Sequence, residues 1–143
     1  MRLKGKSIII TGGGSGIGLA CTKLFSNEGA QIAIFGRRQD RLNATVKEFG
    51  SHVLAVAGDL MIDSDLDNLV SKTLNAFGKI DIVVNNGGIF TGSPIHETND
   101  KDWDTIMNTN IRSAFQLTKR VLPHMIERKA GVFIHISSIA GLI

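Results

Sequence analysis

Eight residues near the start of the chain, Thr11-Gly12-Gly13-Gly14-Ser15-Gly16-Ile17-Gly18, concentrate glycine where a short apolar run gives way to a stretch of helical period. Glycines at such a junction let the backbone turn sharply and approach a pyrophosphate, and the free amides and dipole of a helix N-terminus attract its charge. A flexible turn is the bland alternative. The apolar run before the glycines and the helical pattern after them are the context a nucleotide-binding loop requires, and they favour that reading. The loop lacks the Lys of a Walker phosphate cradle, and Ser15 lacks the glycine spacing of a hydrolase elbow.

Other residues that could do chemistry follow apolar runs further along. Asp59 is either a turn or cap residue or a carboxylate placed to accept from an adenine amino group. Asn85 and Asn86, followed by Gly87 and Gly88, are turn formers or ligand contacts at a strand's carboxyl end. Asn110 is in register with Trp103, Ile106, Met107, Ile111 and Ala114, which places an amide on an apolar stripe. Left unpartnered there it would cost about 1–3 kcal/mol, so it is expected to be bonded. A helix-to-strand tie and a proton relay both stay open. Ser138 either starts a turn or helix or presents a hydroxyl after the fifth strand. His135 reads as a satisfied strand histidine, Cys21 as core packing, and no metal site is expected.

The elements that must position these residues alternate. Apolar runs at 7–11, 31–35, 53–57, 81–84 and 132–136 read as strands of a parallel sheet. Between them, Ile17, Ala20, Cys21, Leu24 and Phe25 share one helical face, as do Leu42, Val46 and Phe49, and then Leu66, Leu69, Val70, Leu74 and Phe77. A last, longest helix is expected to bury Trp103, Ile106, Met107, Ile111, Ala114, Phe115, Val121, Leu122 and Met125, with Pro123 bending or loosening its final turns. Gly29, Gly50 and Gly78 mark helix ends. The fold class is therefore α/β, a doubly wound parallel sheet with the first strand central.

Composition narrows the function classes. The 143 residues suit one domain, residues 1–143, with 43% hydrophobic and 20% charged residues, and no apolar run approaches a membrane span. The net charge of +3 is scattered, which gives no support to nucleic-acid binding. One cysteine and the absence of a signal peptide point to a cytoplasmic, reducing compartment. A chain that stops seven residues after its fifth strand is expected to be the front part of a longer protein or a truncated product.

The spacing Gly12-x-x-x-Gly16-x-Gly18 resembles the glycine motif of the short-chain dehydrogenase/reductase family. Four further matches follow in order: Asp59, with Leu60 beside it; Asn85-Asn86-Gly87-Gly88, where Gly87 stands for the family's usual Ala; Asn110; and Ser138 within Ile136-Ser137-Ser138-Ile139-Ala140-Gly141. The resemblance implies a Rossmann-like sheet of order 3-2-1-4-5, with later strands missing, and an NAD(P)(H)-dependent oxidoreductase acting on a small carbonyl or alcohol. It implies cofactor contacts from Gly12, Ser15, Gly16, Ile17, Gly18, Asp59, Leu60, Asn86, Gly87 and Gly88. It also implies an active-site role for Ser138, a water held by Asn110 for a catalytic Lys, and a homo-oligomeric full-length form. After the second strand, where NAD-preferring relatives carry an acid, stand Gly36, Arg37 and Arg38, so NADP(H) is favoured over NAD(H).

The family's Tyr-x-x-x-Lys motif is absent, and the chain contains no tyrosine. Two readings follow. Either this is the cofactor-binding portion of an oxidoreductase, inactive alone, or it is a non-catalytic dinucleotide-binding or regulatory module. A methyltransferase on a related sheet is a distant third, since Asn85, Asn86 and Ser138 would then have no role.

Overall fold

The computed structural model describes residues 1–138. The strands are β1 (Ser7–Thr11), β2 (Gln31–Gly36), β3 (Val53–Ala57), β4 (Ile82–Asn85) and β5 (Val132–His135). They form one parallel five-stranded sheet of order β3-β2-β1-β4-β5. The crossovers are helices α1 (Gly16–Asn27), α2 (Gln39–Phe49) and α3 (Asp63–Phe77). From β4 the chain passes through a short 3-10 turn (Ile95–Glu97) to α4 (Asp100–Ile106), a π-helical turn (Met107–Arg112) and α5 (Ser113–Arg128). This is the doubly wound sheet with a central first strand that the alternation of apolar runs implies, in the Rossmann-like order that the family resemblance implies.

The strands are apolar on both sides because both sides are covered. Ile8, Ile10, Ile32, Ile34 and Val84 join Leu42 of α2 in one core. Ile9, Ala33, Phe35 and Val83 join Leu66, Leu69, Leu117 and Val121 from α3 and α5 in the other. Gly50 and Gly78 cap α2 and α3, and Gly29 follows the end of α1, all with positive φ. Cys21 packs against the first core.

Two helical faces differ from the periodicity reading. In α1, Ile17 and Leu24 are exposed and Ala20 faces outward, whereas Gly18 and Thr22 are buried. Thr22 donates to the carbonyls of Gly13 (3.1 Å) and Gly18 (2.9 Å), so the helix meets the loop through its smallest side chains. The long helix is also interrupted. Its buried residues are Thr109, Ser113, Leu117, Val121 and Met125, at every fourth position. Trp103, Met107, Ile111, Phe115 and Leu122, expected inside, are exposed. This helix carries two apolar stripes, and α3 covers only one, held by Arg120 to Asp67 (2.7 Å). Pro123 lies inside α5, which runs on to Arg128, and the interruption of the long helix falls at the π turn. Three strands differ by one residue from the expected bounds: β2 ends at Gly36, β4 runs Ile82–Asn85 and β5 ends at His135.

The amino end of the sheet is tied by Asp81, which is nearly buried. Its carboxylate accepts from the Ser7 N–H (2.9 Å) and Arg128 Nη2 (2.6 Å), and pairs with Lys79 Nζ at 3.2 Å. Burial, the largest influence, pushes this carboxyl up, but the bonds from Ser7, Arg128 and Lys79 together outweigh it and hold its pKa below the ordinary value.

Candidate functional site

The carboxyl end of the sheet opens into two adjoining clefts. The first, about 560 Å³, is lined by Gly12, Gly14 and Ser15 of the loop, by Gly36, Arg37, Arg38 and Arg41 after β2, and by Asp59, Leu60 and Met61 after β3. The second, about 790 Å³, is lined by Ile17, Asn85, Asn86, Asn110, His135 and Ser138. Gly87 and Gly88 belong to both, so the β4 turn is the wall between them.

The glycine loop is packed against that wall. A Cβ on Gly18 would collide with the Gly12 carbonyl and come within 2.6 Å of Asn86 Nδ2, so no other residue lets α1 start so close to β1. Gly16 differs. Its φ is +51°, which L side chains rarely adopt, and a Cβ there would meet nothing within 4 Å. The space beside Gly16 at the N-terminus of α1 is thus open, as the approach of a pyrophosphate requires. The residues present fit a dinucleotide.

Thr11 pins the β4 turn. Its Oγ1 accepts from the N–H groups of Asn86 (3.0 Å) and Gly87 (2.8 Å), and its carbonyl accepts from Asn86 Nδ2 (2.9 Å). Thr11 was read only as the start of the glycine motif, and its clue was a hydroxyl on the last residue of the central strand. At Gly87, the departure from the family's Ala, a Cβ would come within 2.7 Å of Leu60 Cδ1, the movable end of a side chain.

After β2, Arg38 Nη2 donates to Ser15 Oγ at 3.3 Å, joining the segment expected to meet a ribose phosphate to the glycine loop. Arg37 and Arg41 line the same cleft, and neither makes an ion pair among the described residues. Arg41 was not singled out from sequence, although it lies one helical turn beyond Arg37 and Arg38. Asp59 lines this cleft and accepts the Met61 N–H at 2.9 Å through Oδ1.

Asn110 sits in the π turn, half-buried. Its Oδ1 accepts the Ile89 N–H and its Nδ2 donates to the Ile89 carbonyl, both at 2.8 Å. Both ends of the amide are therefore committed to the segment after β4, which is the tie that burial demands. π turns are rare in helices and are found frequently at functional sites. Arg112 in the same turn grips Asp63 at the start of α3 with two hydrogen bonds (3.2 and 3.1 Å), and these hold the Asp63 carboxyl below its usual pKa. His135 contacts Asn85 Nδ2 through Nδ1 at 3.3 Å, a strand partner as expected, although its side chain is exposed. Ser138 shares the second cleft with Asn110. The rest of its motif, Ile139, Ala140 and Gly141, lies outside the described residues. Among the described residues, no group of acids, histidines and cysteines could hold a metal ion, and no helix is long and apolar enough to cross a membrane.

Residues 6–143 match the short chain dehydrogenase family profile. An uncharacterised oxidoreductase of Staphylococcus epidermidis is 33% identical over 98% of this chain and 61% of its own length. A 3-oxoacyl-acyl-carrier-protein reductase of Thermotoga maritima is 35% identical over 99% of this chain and 59% of its own length. The closed form of a serine dehydrogenase complexed with NADP+ superposes with a TM-score of 0.90 at 32% identity, covering 96% of this chain and 56% of that one. The chain thus spans about three-fifths of the length of these curated relatives. With the glycine loop, the Asn86 turn and the π turn at Asn110 all set on a sheet of this order, the chain belongs to the short-chain dehydrogenase family.

Proposed function

We propose that this chain is the cofactor-binding portion of an oxidoreductase that moves hydride between NADP(H) and a small carbonyl or alcohol. The observation that carries this reading is the open space beside Gly16 at the N-terminus of α1, on the same edge of the sheet as a cleft lined by the glycine loop, by Arg37, Arg38 and Arg41 and by Asp59.

In this reading Gly12, Ser15, Gly16, Ile17 and Gly18 accommodate the pyrophosphate, and Asp59 and Leu60 meet the adenine. Arg37 and Arg38 take the 2′-phosphate, while Asn86, Gly87 and Gly88 support the ribose nearest the reacting ring. Paired hydrogen bonds from a guanidinium suit a phosphate better than a diol, and Gly36 stands at the end of β2 where an acid would repel it. That a solved relative carries NADP+ supports the same preference. The bound nicotinamide supplies the hydride. Ser138, across the second cleft, orients the substrate oxygen, and Asn110 fixes the π turn from which a water can be held.

The proton remains. An aliphatic hydroxyl such as that of Ser138 is too weak an acid at neutral pH, and the chain has no tyrosine. Turnover therefore belongs to a whole protein that adds the phenol and ammonium, within a reducing, cytoplasm-like compartment. The exposed apolar stripe of Ile111, Phe115, Leu122 and Ile126 supports pairing of copies in that protein. The test is NADPH oxidation by the purified chain against ketones, aldehydes and ketoacyl thioesters. Binding without turnover is expected, and robust stoichiometric turnover would demand a catalytic acid of another kind.

A further inference from the structure

We infer that Asp65, in the first turn of α3, is a positioning residue for the base end of the first cleft, fixing Asp59 so that one carboxylate oxygen faces an exocyclic amino group. The inference rests on the dinucleotide reading and assigns a role to a residue outside every motif considered so far.

The turn from β3 into α3 lines the cleft through Gly58, Asp59, Leu60 and Met61. Its backbone is held at Gly58, Asp59, Met61 and Ile62. The Gly58 N–H donates to the Gly36 carbonyl (3.1 Å), and the Ile62 N–H donates to the Asp59 carbonyl (3.1 Å). The Met61 N–H donates to Asp59 Oδ1 (2.9 Å). The Asp59 N–H, in contrast, is taken by a side chain from outside the turn, Asp65 Oδ2, at 2.8 Å. Packing keeps Asp65 there: a Cβ on Gly58 would come within 2.9 Å of Asp65 Cβ and 2.6 Å of the Phe35 ring, so both neighbours fill the space that glycine leaves.

The consequence concerns the other oxygen of Asp59. Oδ1 is used by Met61, and among the described residues Oδ2 has no hydrogen-bond partner. It is the acceptor left for a ligand at this end of the cleft. An acceptor discriminates between an amino group and a carbonyl only if it is held in place, because a mobile carboxylate can turn to solvent when the donor is missing. Asp65 supplies that restraint through the Asp59 N–H.

The experiment titrates the chain with two reduced dinucleotides that differ at one position, adenine in the first and hypoxanthine in the second. The adenine form offers a 6-amino donor, and the hypoxanthine form a carbonyl that a carboxylate repels. The parent is expected to favour adenine by about ten-fold or more, the worth of one charge-assisted hydrogen bond. Asp65→Ala is expected to bring the ratio close to one, chiefly by weakening the adenine form, while Asp65→Asn, which keeps an acceptor oxygen, retains most of it. Should Asp65→Ala fail to fold in thermal melts, Asp65→Glu carries the same comparison, because it keeps the charge and displaces the acceptor by a methylene. A merely structural role would lower both affinities together and leave the ratio as in the parent. That result, or a parent without preference, overturns the positioning role and leaves dinucleotide binding standing. A folded parent that binds neither dinucleotide overturns the dinucleotide reading and this role with it.

Discussion

The two ends of the same sheet are built on opposite rules. At the amino end, Asp81 joins β1, β4 and α5 through a buried bond to Ser7 and a half-buried one to Arg128. At the carboxyl end, glycines keep side chains away, two clefts stand open, and Arg37 and Arg41 have no carboxylate partner among the described residues. A group whose bonds are all made inside the fold adds stability and recognises nothing. A group left unpaired at a strand's carboxyl end is available to a ligand. The division teaches that stability and recognition can be broken separately.

Asp81→Ala should have the largest effect on stability. It removes the acceptor that holds the Ser7 N–H and leaves Arg128 unpaired, and since Arg128 keeps some access to water the loss is expected near the low end for a broken buried pair, about 3 kcal/mol. Urea denaturation measures it. Dinucleotide affinity of the folded fraction should be unchanged, and a loss of affinity at full stability would blur the division between the two ends.

At the other end, Arg37→Ala should leave the urea midpoint nearly unmoved and narrow the preference for NADPH over NADH by about 1–3 kcal/mol. Calorimetry with both cofactors checks this. Equal affinities in the parent would return the arginines to ordinary surface.

How much of this was legible in the sequence differs between the ends as well. The strands, the crossovers and the loop at Gly12–Gly18 could be read because apolar runs, helical periods and glycine spacing are local signals, whereas the full strand order came only with the family resemblance. The Asp81 clamp could not, because Ser7 lies 74 residues away and Arg128 lies 47 away, and neither pairing leaves a local pattern. Thr11 was hidden for the same reason, since its partners Asn86 and Gly87 are 75 and 76 residues on. The face of α5 was misread on different grounds. Periodicity finds apolar stripes but does not choose between two of them, and the π turn at Met107–Arg112 breaks the register on which the choice was made. Asn110 was rightly expected to be bonded, because burial of an amide forces a partner whatever that partner is.

A smaller effect sharpens the comparison through pH. The folded-state pKa of Asp81 lies below its unfolded value, so its contribution is fully present above about pH 4, the ordinary carboxylate value, and is lost as pH falls through the folded pKa. Stability followed by denaturant titration should decline over that acid range in the parent, and the part due to this group should be missing in Asp81→Asn. An identical acid profile in both would show that the carboxylate gains nothing from its partners.

The most direct measurement is a calorimetric titration of the folded chain and of its Gly16→Val variant with NADPH. The open space over the N-terminus of α1 is where a valine side chain would project, at a φ of +51° that already disfavours it. Saturable binding by the parent and none by a variant with an intact far-ultraviolet spectrum is the predicted result. Unchanged affinity in a folded Gly16→Val chain would contradict the account and leave the glycine motif a turn without a ligand.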